Sequence, residues 1–201
     1  MKDVSSASSS IQELPGGLLE MRVEHELVRG VTPEMLVWWF RNFPPARLEY
    51  QGRLVQMFRI WHPSDHIRFR VLRRPRDRSP GMSRGARVMY SEVVGDKPVR
   101  VRARVLQMDE GGLHVKLRRW FTKVGELRHS FSATPDGVTC RSRLVVGSTI
   151  PGFGRLVNRL ARRRLFGPER GDAWVKHCVE EIGNFEFFLP KVYGERPPGR
   201  E

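Results

Sequence analysis

Two segments carry residue types suited to metal and acid–base chemistry. WHPSDH, Trp61 to His66, sets two histidines and an aspartate within five residues, directly after the apolar-rich run LVQMFRI. Far downstream, HCVEE places His177 and Glu181 at i and i+4, so on a helix both side chains project from one face. Trp174, Cys178, Phe185 and Phe188 lie on or near that stripe, which should therefore face the interior. A carboxylate there is costly unless it is paired or metal-bound. An HxxxE pair alone also fits an ordinary hydrogen bond on a helix surface. A third segment, YSEVV, puts Glu92 in an apolar strand-like stretch, an awkward core position without a partner. His62, at the end of a strand, can point inward. Two imidazoles and two carboxylates suit zinc, which takes such ligands at about 2.0–2.2 Å. Spacing alone does not assemble four ligands from three segments.

The elements that must position these groups follow from the apolar pattern. LEMRVEHELVR, Leu19 to Arg29, has mixed alternation and reads as a first strand. Thr32 offers a helix cap and Pro33 the favoured first position, so EMLVWWFRNF reads as a short helix stopping before Pro44-Pro45. Leu54 to Ile60 and Ile67 to Arg73 read as strands joined by WHPSDH, followed by a basic loop, RRPRDRSPGMSRG. Five further strands are expected at Ala86–Val94, Val99–Gln107, Leu113–Phe121, Glu126–Ala133 and Val138–Gly147, separated by GDKP, DEGG and TPDG turns. In VRVRARV, Val99, Val101, Ala103 and Val105 share one face and Arg100, Arg102 and Arg104 the other, so the sheet is wet on one side. FGRLVNRLARRRLF reads as helical, and a long helix from about Pro168 to Leu189 is expected to halt at Pro190. This order predicts an α+β domain, a curved antiparallel sheet gripping the last helix around a cavity. The expected domain spans 17–193, with a loose tail over 1–16 and a flexible end over 194–201.

The chain has 201 residues, 39% of them hydrophobic, enough for one sizeable core. Its formal charge of +14 favours anionic partners in general but says nothing about fold. Arg155, Arg159, Arg162, Arg163 and Arg164 crowd one segment, which could rest on a membrane surface or track phosphates; with no nucleic-acid motif beside them, a solvated helix face is the simpler reading. Cys140 and Cys178 are too few for a disulfide framework and fit a reducing cytoplasm. The amino terminus lacks the apolar stretch of a signal peptide, and no run approaches the roughly 20 residues that span a bilayer.

GVTPEMLVWWF, WHPSDH, YSE and WVKHCVEEIGNFEFFLPKVY together resemble the diacetylphloroglucinol hydrolase and phloretin hydrolase family, over about Gly30 to Tyr193. The resemblance implies a helix-grip fold (the START and birch-pollen-allergen type) and a zinc-dependent carbon–carbon hydrolase that removes an acyl group from a polyphenol. It assigns His62, Glu92, His177 and Glu181 as metal ligands, His129 in ELRHSF as a catalytic histidine, and Asp65 as a contact to substrate hydroxyls. His66 is left as a supporting or structural residue. The family's phenol-binding tyrosines have no counterpart between Tyr90 and Tyr193, which leaves Tyr50 and Tyr90 as candidates for that task.

The reaction expected is a reversed Claisen cleavage next to a ketone, with the ring tautomerised to a keto form so that its carbon can leave. His129 would shuttle the proton, and Glu92 would assist water as well as ligate. Trp38, Trp39, Trp61 and Trp120 are candidates for stacking on a flat substrate. The alternative keeps the fold without hydrolysis: a polyketide cyclase or isomerase, or a binder of hydrophobic ligands in secondary metabolism. The expected partner is a small aromatic or polyketide-like molecule, with a homodimer allowed and no specific nucleic acid.

Overall fold

The computed structural model describes residues 1–42, 47–119, 122–148, 154, 158 and 168–196. Trp120, the Arg155–Arg164 cluster and residues 197–201 lie outside the described residues; of the helix expected around that cluster, Gly154 and Asn158 are described and are helical.

The strands are β1 (Ser8–Leu14), β2 (Leu18–Glu24), β3 (Val28–Arg29), β4 (Arg47–Tyr50), β5 (Arg53–Gln56), β6 (His66–Arg73), β7 (Arg87–Val94), β8 (Lys97–Asp109), β9 (Gly112–Arg119), β10 (Thr122–Thr134) and β11 (Gly137–Val146). The helices are α1 (Pro33–Asn42), α2 (Met57–Trp61) and α3 (Pro168–Gly194). The main sheet is antiparallel, in the order β1-β2-β11-β10-β9-β8-β7-β6, with β3 also paired to β11. β4 and β5 form a separate hairpin. The alternation in β8 is realised: Ala103 and Val105 are buried, while Arg100, Arg102 and Arg104 are exposed.

The long helix α3 turns its apolar stripe, Cys178, Ile182, Phe185, Phe188 and Leu189, into the core. An aromatic cluster seats it: Trp39 lies 4.9 Å from Phe188, Trp61 5.5 Å from Phe185 and Phe40 5.2 Å from Trp61, between ring centroids. Such large rings dominate the burial that holds layers together. The helix is not stopped by Pro190 and runs on to Gly194. Packing outweighs the lost backbone donor there, since Val192 is buried and Tyr193 meets Trp38 edge-on at 5.4 Å. The Tyr193 hydroxyl also donates to Glu34 Oε1 at 2.6 Å.

Two further expectations are corrected. Leu54 to Ile60 is not one strand: β5 ends at Gln56, and Met57–Trp61 wind into α2 with Met57, Phe58, Ile60 and Trp61 buried. The crowding of apolar residues on every side fits a short buried helix better than a half-wet strand. Residues 1–16 are likewise not a loose tail. Asp3 caps a short 3-10 turn at Val4–Ser6, and β1 pairs residue by residue with β2. Lys2 reaches across to donate to the Leu27 carbonyl at 2.6 Å and forms an ion pair with Glu186 of α3 at 2.8 Å. The methylenes of Lys2 lie over Gly183, where an added Cβ would sit 2.7 Å from the Lys2 Cβ. The polar, Ser-rich composition that suggested disorder belongs to a solvent-facing edge strand.

Candidate metal centre and cavity

WHPSDH folds into a tight turn closed by the His66 amide donating to the His62 carbonyl at 3.0 Å. Further bonds fix the turn in space. The Val93 amide donates to the Asp65 carbonyl at 2.9 Å, tying it to β7. The Asn184 amide donates to the carbonyls of Ile60 and Trp61 at 3.0 and 2.8 Å, and Trp61 Nε1 donates to the Glu181 carbonyl at 2.9 Å, tying it to α3. In the β6–β7 register His66 stands opposite Glu92.

His66, His177, Glu181 and Glu92 consequently converge. His66 Nε2 lies 3.5 Å from Glu181 Oε2 and 3.7 Å from Glu92 Oε1; His177 Nε2 lies 3.6 Å from Glu181 Oε2. Tetrahedral ligands at zinc bond lengths stand roughly 3.3–3.6 Å apart, so these separations suit a shared cation. His66 supplies the sharpest sign. Its Nδ1–H is spent on the Phe58 carbonyl at 2.8 Å, and its buried Nε2 has no hydrogen-bond partner among the described residues. A neutral ring held this way aims a lone pair at two carboxyl groups, an arrangement that a shared cation or a carboxyl proton would relieve. His177 is oriented similarly, with Nδ1 donating to Asp65 Oδ2 at 2.9 Å and Nε2 facing Glu181. The residues fit a divalent metal with nitrogen and oxygen ligands.

The electrostatics agree. Burial pushes the Glu181 carboxyl up to about 8, with Glu92 adding to the effect and His177 opposing it. Burial likewise raises Glu92. Burial works against charge on His177, but its hydrogen bond to Asp65 and the carboxylates of Glu181 and Glu92 outweigh that and hold it up to about 9. Burial drives His66 well below its ordinary value. Burial thus disfavours charge on both carboxyl groups, and a divalent ion beside them would offset it.

His62, expected as a ligand, is placed differently. Its Nδ1 accepts from the Asp65 amide at 3.3 Å, its Nε2 faces Glu180 at 3.3 Å, and its ring stacks on His177 with centroids 4.6 Å apart. It supports His177 from behind, although His62, Asp65 and His177 also offer three ligand atoms close together. Asp65, expected against substrate, orients His177 instead and does not line the cavity. His66 lies in the same six residues as His62, and the hairpin register, invisible in spacing, is what sets it opposite Glu92.

Beside this cluster a cavity of about 790 Å³ opens between sheet and α3. Glu92, His177, Glu181, His129, Tyr90 and Trp61 line it, with Leu113, Val115, Leu127 and Leu144 among its apolar walls. Trp38 and Tyr50 are not among the lining residues; Trp38 packs on Tyr193 and Tyr50 sits on the β4 hairpin. His129 is buried on β10, its Nδ1 2.7 Å from Ser142 Oγ, and burial brings it down to about 4. Gly112 on β9 permits this strand contact: at φ 141°, a Cβ there would lie 2.0 Å from the His129 carbonyl oxygen. Ser142 and its second partner, His25, carried no signal in the sequence.

A curved antiparallel sheet wrapped on a long terminal helix, enclosing an apolar cavity with a polar centre, defines a helix-grip fold. Solved structures agree on the fold. TTHA0849 from Thermus thermophilus is similar with a TM-score of 0.52 at 15% identity, over 88% of this chain and 99% of that one. Major latex-like protein 151 from Panax ginseng is similar with a TM-score of 0.53 at 6% identity, over 90% and 97%. A START superfamily protein from Mycobacterium smegmatis has 18% identity over 82% and 98%, with a TM-score of 0.44. No curated protein matches the chain in sequence. Residues 4–194 match the DAPG hydrolase PhiG domain, and the chain belongs to that family of hydrolases. No described helix is long and apolar enough to cross a membrane.

Proposed function

We propose that this protein is a zinc-dependent hydrolase that cleaves the carbon–carbon bond beside a ketone, deacylating an acylated polyphenol or polyketide-like molecule. The observation that carries the reading is the buried His66 Nε2, without a hydrogen-bond partner among the described residues, facing Glu92 and Glu181, which line an apolar cavity. His66, His177 and Glu181 would hold the ion with Glu92, and Asp65 and the Phe58 carbonyl would orient the two imidazoles. When bound, zinc supplies a Lewis acid for the acyl carbonyl and acidifies water to near-neutral pKa. The walls exclude bulk water, and Trp61 and Tyr90 present ring and hydroxyl to a flat substrate. His129, whose Nδ1 is held by Ser142, keeps Nε2 for the cavity. There it can take a proton from the attacking water and give one to the departing ring carbon, so that aryl ketone plus water gives arene plus carboxylic acid.

Purified protein, assayed for bound metal and for deacylation of an acylphloroglucinol in oxygen-18 water, tests this. One equivalent of zinc and label in the released carboxylate are expected, both lost in His66→Ala. Full activity without metal overturns the metal assignment. Turnover without label moves the reading to a cyclase or isomerase on the same site.

A further inference from the structure

Ser142 is buried on β11 directly across from His129 of β10, and its hydroxyl serves two rings. His129 Nδ1 is 2.7 Å away and His25 Nε2 is 2.8 Å away. His25 follows β2 and is anchored by its amide donating to the Cys140 carbonyl at 3.0 Å. A hydroxyl between two imidazoles has one proton, so it donates to one ring and accepts from the other. Two arrangements of equal charge follow. In one, His25 Nε2–H donates to Ser142 and Ser142 to His129 Nδ1, so His129 presents Nε2–H to the cavity as an acid. In the other the direction is reversed, and His129 presents a bare Nε2 as a base.

We infer that Ser142 and His25 are positioning residues that interchange the acid and base tautomers of His129. The inference rests on the reading of His129 as proton carrier. The contrast with His66 supports it: the Phe58 carbonyl accepts only, and so locks that ring in one tautomer. A hydroxyl does not lock. Both rings are kept neutral, burial holding His129 down to about 4 and His25 down to about 3. The groups facing the chain are Cys140 on β11, His177, Cys178 and Glu181 on α3, and Lys2 beside His25. When His129 Nε2 takes a proton from water, its Nδ1–H donates to Ser142 Oγ and the hydroxyl donates to His25 Nε2, so the charge stays on His129 while burial and Lys2 keep His25 neutral. When Nε2 yields its proton to the leaving carbon, the ring is neutral again, and one proton has entered and one has left.

Nitrogen-15 spectra of histidine-labelled full-length protein read the tautomers without reference to turnover. The wild type should show averaged shifts at His129 Nδ1 and Nε2, Ser142→Ala a single tautomer, and Ser142→Thr, which keeps a hydroxyl, averaging again. One fixed tautomer in the wild type, or averaging that survives Ser142→Ala, overturns the inference. In the deacylation assay Ser142→Ala and His25→Gln should lower kcat on the order of 10–100-fold. KM and zinc content should stay unchanged, with Ser142→Thr within about threefold of wild type. A fall in zinc content or a change confined to KM would instead make Ser142 a structural residue. An inactive wild type would sink the hydrolase reading alone, since the spectra decide the tautomer exchange separately.

Discussion

His66 Nε2 stands 3.5 Å from Glu181 Oε2 and has no hydrogen-bond partner among the described residues. His62, four residues earlier, has both ring nitrogens engaged elsewhere. The two histidines therefore separate by experiment. His66→Ala should abolish stoichiometric zinc, whereas His62→Ala should retain it with an affinity reduced about 10–100-fold, as for other groups that brace a ligand. Metal analysis after dialysis against a weak chelator measures both. Equal loss in the two variants would return His62 to the ligand set.

Asp65→Asn probes the brace on His177 more finely. The amide keeps the shape but presents no charge to His177 Nδ1, whose hydrogen bond to Asp65 is 2.9 Å. Zinc affinity should drop by about 10–100-fold while the melting temperature changes little. An unchanged zinc affinity would remove Asp65 from the site.

Acid should destabilise the protein through its neutral buried histidines. His25 and His129 have folded values lowered to about 3 and about 4 by burial, against 6.5 when exposed. Below pH 6.5 the unfolded chain binds protons that the folded one refuses. The contribution of these two histidines is therefore complete above 6.5 and falls as pH drops toward 4. The slope is about 1.4 kcal/mol per pH unit for each histidine. Denaturant titrations at pH 7, 6 and 5 check this, and His25→Gln should flatten the dependence. A flat profile in the wild type would refute it.

The outer sheet face predicts a response to salt. Arg102 stands opposite Arg118, and Arg104 opposite both Arg87 and Lys116. Like charges in register oppose pairing by about 0.2–1 kcal/mol each. Raising ionic strength should lift the melting temperature, and Arg104→Thr should lift it at low salt and reduce the salt effect. A melting temperature indifferent to salt would contradict this.

The aromatic cluster offers a stability test away from the chemistry. Phe185 is fully buried against Trp39, Phe40 and Trp61. Phe185→Ala should destabilise by about 3–5 kcal/mol, measured by equilibrium unfolding.

Alternation and turn residues made most of the sheet legible, because period two and GDKP-type turns act locally. β8 and β11 lie close to their expected bounds. The long helix and the inward stripe bearing His177 and Glu181 were readable for the same reason. Long-range packing was not. It carried α3 past Pro190, wound Met57–Trp61 into a helix and ordered the Ser-rich start as an edge strand. The site shows the same division. The residue types and their two segments were apparent, but the partners of His66 and His62 depend on long-range contacts such as the Phe58 carbonyl at His66 Nδ1 and Glu180 at His62 Nε2. Ser142 and His25 meet only because β11 lies between β2 and β10.

The clasp of Lys2 over Gly183 bears on how the protein should be handled. Trimming the chain to begin at Gly17 would strip β2 of its neighbour and bare a row of backbone donors and acceptors, inviting sheet-to-sheet association between molecules. It would also uncover the back of the helix whose front carries His177 and Glu181. Lys2 and the strand that follows it therefore belong in any shortened form of the protein.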